Sequence, residues 1–180
     1  MSLIEIILIA LSLSSDACSV AACKGIAIKK IKMIDAIKIG LYFGVFQMLM
    51  PILGYCLGIS FFNKLFKYSH ILTFILLLII GIRMISDVKN NQVINNIINT
   101  KELIILAIAT SLDAFAIGIT FSLNNINILF PSIIIGLVTF FLSFICFIIG
   151  NKIGLKWQKK ALIIAGIILI LLAIKTILNM

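Results

Sequence analysis

Two aspartates stand where a carboxylate is hardest to keep. Asp16 lies in Leu11-Ser12-Leu13-Ser14-Ser15-Asp16-Ala17-Cys18-Ser19-Val20 and Asp113 in Thr110-Ser111-Leu112-Asp113-Ala114-Phe115-Ala116-Ile117, each inside a long apolar run. At the centre of a membrane helix an ionisable side chain costs about 2.5 to 3.5 kcal/mol on the insertion scale, so a chain that holds two has a use for them. At helical spacing, Ser12, Ser15, Asp16, Ser19 and Cys23 form one stripe, and Ala109, Thr110, Asp113, Ala116 and Thr120 form another. Two further runs offer Gly40, Gly44, Gln47, Pro51 and Gly58, and Gly136, Ser143, Gly150 and Gly154. Carboxylate, hydroxyl and carboxamide oxygens with no imidazole or thiolate at that depth make a hard site, suited to Mg²⁺, Ca²⁺ or Mn²⁺. The candidate metal ligands are therefore Asp16, Asp113, Gln47, Ser15, Ser19, Ser111, Thr110 and Ser143. Because a low-dielectric setting favours the neutral carboxyl, the same aspartates suit proton carriage in exchange for the ion.

The elements that must position these residues are membrane helices. Of 180 residues 63% are hydrophobic and 12% charged, with a mean hydropathy of +1.29, more apolar surface than a soluble domain of this length can bury. The apolar runs predict an all-α, polytopic membrane protein with six transmembrane helices at 3–23, 34–58, 70–86, 103–123, 128–150 and 161–178. Residues 1–180 read as a single transmembrane domain. Two Pro and eleven Gly exclude a collagenous or disordered chain, and four Cys without a C-x-x-C pair exclude a zinc site or disulfide scaffold, so Cys18, Cys23, Cys56 and Cys146 are expected to pack as small apolar residues. His70 falls at a helix start, an ordinary interfacial place. The first run has no preceding Lys or Arg and the length of a full span, so it is expected to be a retained helix rather than a signal peptide.

The net charge of +9 would suggest nucleic acid in a soluble chain, but its placement is a topology signal. Lys24, Lys29, Lys30, Lys32, Lys89, Lys101, Lys152, Lys156, Lys159 and Lys160 fall in the odd-numbered connections, whereas Lys64 and Lys67 alone fall opposite. Lys and Arg near helix ends stay in the cytoplasm during insertion, so the odd connections are expected inside a cell inner or plasma membrane and both termini outside. The lipid bilayer is the partner, and nucleic acid is not.

The chain also repeats. Asp113 lies 97 residues after Asp16 with Ser and Ala matched around it, and Gly40, Gly54 and Gly58 meet Gly136, Gly150 and Gly154 at a spacing of 96. Gly81-Ile82-Arg83 aligns with Ala173-Ile174-Lys175. Each unit, 1–89 and 98–180, holds three helices, and an odd number forces the second copy to enter from the other side. Inverted repeats of this kind build secondary transporters, with the substrate site near mid-bilayer at the repeat interface.

The run Leu11 to Ala17 with Cys23-Lys24-Gly25, the run Ala107 to Gly118, Phe43-Gly44-Val45-Phe46-Gln47 with Pro51-Ile52-Leu53-Gly54, and Gly81 to Ile85 together resemble the manganese efflux pump family of bacteria over essentially the whole chain. The resemblance implies that Mn²⁺ is the transported substrate, with no cofactor and no enzyme activity, and that Asp16 and Asp113 are the ion-pathway carboxylates. The first motif departs from the family pattern Asp-Ala-Phe-Ala by reading Asp-Ala-Cys-Ser, and some relatives carry an acidic residue where Gln47 stands. An amino-acid or other small-solute exporter, or a spore-associated membrane protein without transport activity, are the alternative readings. Outward movement of two charges against an inside-negative potential costs about 4.6 kcal/mol per 100 mV. The chain has no G-x-x-x-x-G-K-[ST] loop, so export calls for exchange against protons or another ion.

Overall fold

The computed structural model describes residues 2–28, 31–57, 100–124 and 126–178, with helical positions at 74, 75, 78, 79, 82 and 85 between them. The helices are α1 (Leu3–Ala27), α2 (Met33–Leu57), α3 (Thr100–Thr110), α4 (Leu112–Leu123) and α5 (Leu129–Leu178), and no strand occurs among the described residues. α1 starts on a capping box, in which the Ser2 hydroxyl accepts from the Glu5 amide and the Glu5 carboxylate accepts from the Ser2 amide. α2 starts where the Asp35 carboxylate accepts from the Lys32 amide at 2.9 Å.

Leu3–Ala27, Met33–Leu57 and Leu129–Gly154 are long and apolar enough to cross a bilayer, and α3 with α4 makes a further, bent pair. Twenty-five residues of helix reach about 38 Å, more than the hydrocarbon layer of about 30 Å. The sidedness of the helices agrees with a lipid exterior. Leu41, Val45, Leu49, Leu53 and Leu57 of α2 and Ile133, Leu137, Phe141, Ile145, Ile149 and Ile153 of α5 form exposed ridges four residues apart, while Gln47, Ser132, Thr139, Ser143 and Asn151 are buried. Water-soluble packing would reverse that order.

Small residues fix the helix register. α1 packs along α5, and α2 packs between α5 and α4. A Cβ added at Gly150 would lie 2.2 Å from the Ala22 carbonyl oxygen, and one at Gly154 would lie 2.6 Å from that of Ile26, so α1 and α5 meet backbone to backbone and run parallel. On the other side, Gly40 meets Phe140 and Gly44 meets Gly136, so α2 and α5 cross antiparallel. α2 and α4 are as close, since a Cβ at Gly118 would be 2.0 Å from the Pro51 carbonyl oxygen and one at Gly54 would be 2.1 Å from that of Phe115. The apolar centre joins Ala17, Val20, Ile39, Phe43, Leu103, Leu106 and Phe147.

Three expectations are corrected. The helix expected over 103–123 is two helices bent by 41° at Ser111, whose φ of −104° and ψ of 3° leave the helical region. Thr110 and Ser111 both turn their hydroxyls onto carbonyls of the turn before, which loosens a helix at that point. The helices expected at 128–150 and 161–178 are one continuous helix of 50 residues, because 151–160 has no proline and Gly154 alone costs about 1 kcal/mol against otherwise good helix formers. Finally, Cys18 and Cys146 do not merely pack: they are joined in a disulfide between α1 and α5, with α-carbons 5.5 Å apart across 128 residues. Cys23 is buried and Cys56 exposed, both outside any disulfide. The helix expected over 70–86 lies largely, and Arg83, His70, Lys64, Lys67 and Lys89 wholly, outside the described residues.

Candidate functional site

Asp16 sits midway along α1, half-buried, between the buried Ser14 and Ala17. Its neighbouring hydroxyls serve their own helix: Ser14 donates to the Leu11 carbonyl, Ser15 to that of Ser12 at 2.8 Å, and Ser19 to that of Ser15 at 2.9 Å. Such bonds satisfy a hydroxyl in an apolar setting and leave its lone pairs available as acceptors. Ser15 is exposed and Ser19 half-buried.

Asp113 is the second residue of α4, exposed, in the first turn after the bend. That turn is the positive end of the helix dipole, which favours a negative charge. Thr110 donates to the Leu106 carbonyl at 3.0 Å, and the fully buried Ser111 donates to that of Ala107 at 2.7 Å. Thr110, Ser111 and Asp113 are thus brought together at the discontinuity, a setting in which membrane transporters commonly hold ions.

Gln47 lies fully buried on α2 and reaches across to α1, where its Nε2 donates to the Leu13 carbonyl at 3.1 Å. Its Oε1 has no hydrogen-bond partner. Pro51, one turn later, has no N–H, so the Gln47 main-chain carbonyl also loses its usual helical donor. Ser143 on α5 is fully buried with its hydroxyl unpartnered, and so are Thr139 and Ser132 on the same face. Buried polar atoms without partners are uncommon in folded chains and mark places where another group, such as an ion or water, completes the bonding. Among the described residues no three His, Cys, Asp or Glu side chains converge on one point, so any ion here would be held by few carboxylates and several neutral oxygens.

Several residues at one end of the bundle escaped the sequence reading. The buried Asn151 of α5 donates from Nδ2 to the Gly25 carbonyl at 3.2 Å and to that of Ile28, capping the C-terminal end of α1. Lys24, at the same end of α1, forms an ion pair with Glu102 in the first turn of α3. An Asn in an apolar run was the available signal for the first. Nothing in the sequence pairs residues as distant as 24 and 102, or 18 and 146.

An apolar outside around an inside of glycines and buried hydroxyls, with one aspartate midway along α1 and one at the start of α4, fits a polytopic membrane protein. The chain belongs to the manganese efflux pump family: the family model described as "Putative manganese efflux pump" matches residues 30–177. It is similar to the protein named "Putative manganese efflux pump MntP" of Acetivibrio thermocellus, 46% identical over 173 residues that cover 94% of this chain and 87% of that one. The namesake of Methanosphaera stadtmanae is 40% identical over 179 residues, covering 98% and 99%. One from Clostridium botulinum is 43% identical over 188 residues, covering 97% and 94%. No solved structure matches the chain.

Proposed function

We propose that this chain exports divalent metal ions, with Mn²⁺ as the substrate, by secondary transport through a site at the interface of two inverted repeats, 1–89 and 98–180. Membership of the family, whose relatives are named as manganese efflux pumps, supports the substrate and the direction.

The observation that carries the mechanism is a reciprocity of contacts. Gly40 packs on Phe140, and their repeat mates, Gly136 and Gly44, pack on one another. Likewise Gly54 meets Ile119 of α4, and the mates, Gly150 and Ala22, meet in the α1–α5 interface. Two halves related by a two-fold axis in the membrane plane produce such an exchange, and a chance packing of unrelated halves does not. Gln47 and Ser143 are also mates, both fully buried with an unpartnered oxygen, one bonded to the helix of Asp16.

In this reading Asp16 and Asp113 bind the ion, with the Gln47 carboxamide oxygen and the hydroxyls of Ser15, Ser19, Thr110, Ser111 and Ser143 as neutral ligands or supports. Two carboxylates neutralise a divalent charge in a setting where charge interactions are far stronger than in water. Protonation of the same carboxyls after release would return them, so a proton is the natural counter-ion. Lys24, Glu102 and Asn151 lie at one end of the bundle, which supports placing the first, third and fifth connections together in the cytoplasm. A helix of 50 residues is about 75 Å long, more than a single crossing needs, and its apolar part Leu129–Gly154 is the span that crosses in this reading.

Cells that lack their own manganese exporter, grown on graded manganese with and without this chain, test the proposal. Restored tolerance together with lowered cell manganese supports it. Unchanged sensitivity at verified membrane expression refutes it.

A further inference from the structure

The ion pair between Lys24 and Glu102 joins α1 to α3 at an end of the bundle away from the candidate ion ligands, and its two partners are mounted differently. Lys24 stands on a fixed post. One residue on, a Cβ at Gly25 would be 2.1 Å from the Phe147 carbonyl oxygen, Asn151 holds the Gly25 and Ile28 carbonyls, and the Cys18–Cys146 disulfide ties the same helix to α5 two turns earlier. Glu102 stands on an arm. α3 ends at the 41° bend, carries no glycine, and takes no part in the backbone-to-backbone contacts of the described glycines. Its inner face, Leu103, Leu106 and Ala107, is buried and packs through apolar side chains. The pair itself is mostly covered, with the side chains 18% and 29% exposed.

We propose that α3 is a gate that turns about Ser111 and is latched at its far end by Lys24 and Glu102. The inference rests on the transport reading and goes beyond it by naming the moving element. Glu102 lies nine residues from the bend, about 13 Å, so a further tilt of about 20° moves it by about 5 Å and parts the pair. A divalent cation arriving at this end carries twice the charge of the Lys24 ammonium and competes for the same carboxylate, so arrival of the ion releases the latch. Apart from any ligand role, Ser111 acts as the hinge, and Lys24 and Glu102 as positioning residues outside the two-aspartate site.

The test makes the latch covalent. In a Cys56→Ser background, Lys24→Cys with Glu102→Cys is bridged by a bis-methanethiosulfonate with an ethylene linker, and Mn²⁺ flux is followed in proteoliposomes before bridging, after it, and after reduction. Bridging should stop flux and reduction should restore it, with the Cys56→Ser parent active throughout. Flux at the unbridged rate in the bridged protein, or failure of the two positions to bridge, overturns the gate. Absence of flux in the parent instead removes the transport reading, and the gate falls with it. Charge reversal gives a second readout. Lys24→Glu and Glu102→Lys should each lower flux and the double variant should recover it, whereas single variants at the parental rate contradict the latch.

Discussion

Ser14 and Ser111 occupy matching places in the two aspartate-bearing segments, both fully buried and both donating to the turn before, yet α1 runs straight through Ser14 while the second segment bends by 41° at Ser111. The hydroxyl chemistry is shared, so it does not decide the outcome by itself. What differs is the tie to α5. α1 is held by the glycine contacts at Gly150 and Gly154, by Asn151 and by the Cys18–Cys146 disulfide. In the other half, the described glycine contacts with α2 lie beyond the bend, at Phe115 and Gly118 of α4, and none of the described glycines meets α3. One copy is held as a post and the other is divided into a fixed part and an arm. Related local sequences thus acquire different mechanics from their neighbours, and both aspartates, Asp16 on α1 and Asp113 on α4, stand on the held parts, with the arm beginning just before Asp113.

The largest effects are expected where the two copies agree. Gly150→Ala and its repeat mate Gly54→Ala each set a methyl within 2.2 Å of a backbone carbonyl oxygen, which no side-chain rotation relieves, so each should cost more than the roughly 1 to 3 kcal/mol of ordinary overpacking. Thermal unfolding in detergent should show a large, similar fall for both. A fall in only one would mean that the two helix pairs are not equivalent. The next effect separates the copies: Ser111→Ala restores a good helix former at the bend and should cut Mn²⁺ flux to a small fraction, whereas Ser14→Ala should leave most of it. Equal behaviour of the two variants in flux assays would remove the contrast. Asn151→Ala should lower stability by about 1 to 3 kcal/mol, because two carbonyls at the end of α1 lose their donor, with no counterpart loss at Tyr55, its repeat mate on α2. Chemical denaturation of both alanine variants measures this difference. The smallest effects belong to Ser15→Ala and Ser19→Ala, whose hydroxyls bond only within α1; stability should stay within about 0.5 kcal/mol while metal affinity falls modestly. A large stability loss there would show that these hydroxyls hold the fold.

Much of the architecture was legible because a bilayer makes strong demands on composition. The runs at 3–23 and 34–58 foretell α1 and α2 closely, since twenty-odd apolar residues admit few other readings. Gly40, Gly136, Gly150 and Gly154 were legible as packing residues for the same reason, as small residues are what lets membrane helices touch. The bend at Ser111 was not, because Ser14 shows the same motif without a bend. The continuity of α5 through Lys152 to Lys160 was hidden by charge, which marks the edge of a membrane span but does not end a helix. The Cys18–Cys146 bond and the Lys24–Glu102 pair depend on a register between distant helices that no local pattern encodes.

The central claim is that Asp16 and Asp113 together carry the ion, and neutral replacements test it most directly. Asp16→Asn and Asp113→Asn keep the side-chain shape and remove a full charge, and a neutral amide is easier to insert than a carboxylate, so both proteins should reach the membrane in normal amounts. The measurement is cellular manganese content at matched expression in cells without another exporter. Both single variants should accumulate manganese to the level of cells that lack the chain altogether. Normal export by both would contradict the two-aspartate site, and normal export by one alone would show that the ion is bound by a single half of the molecule.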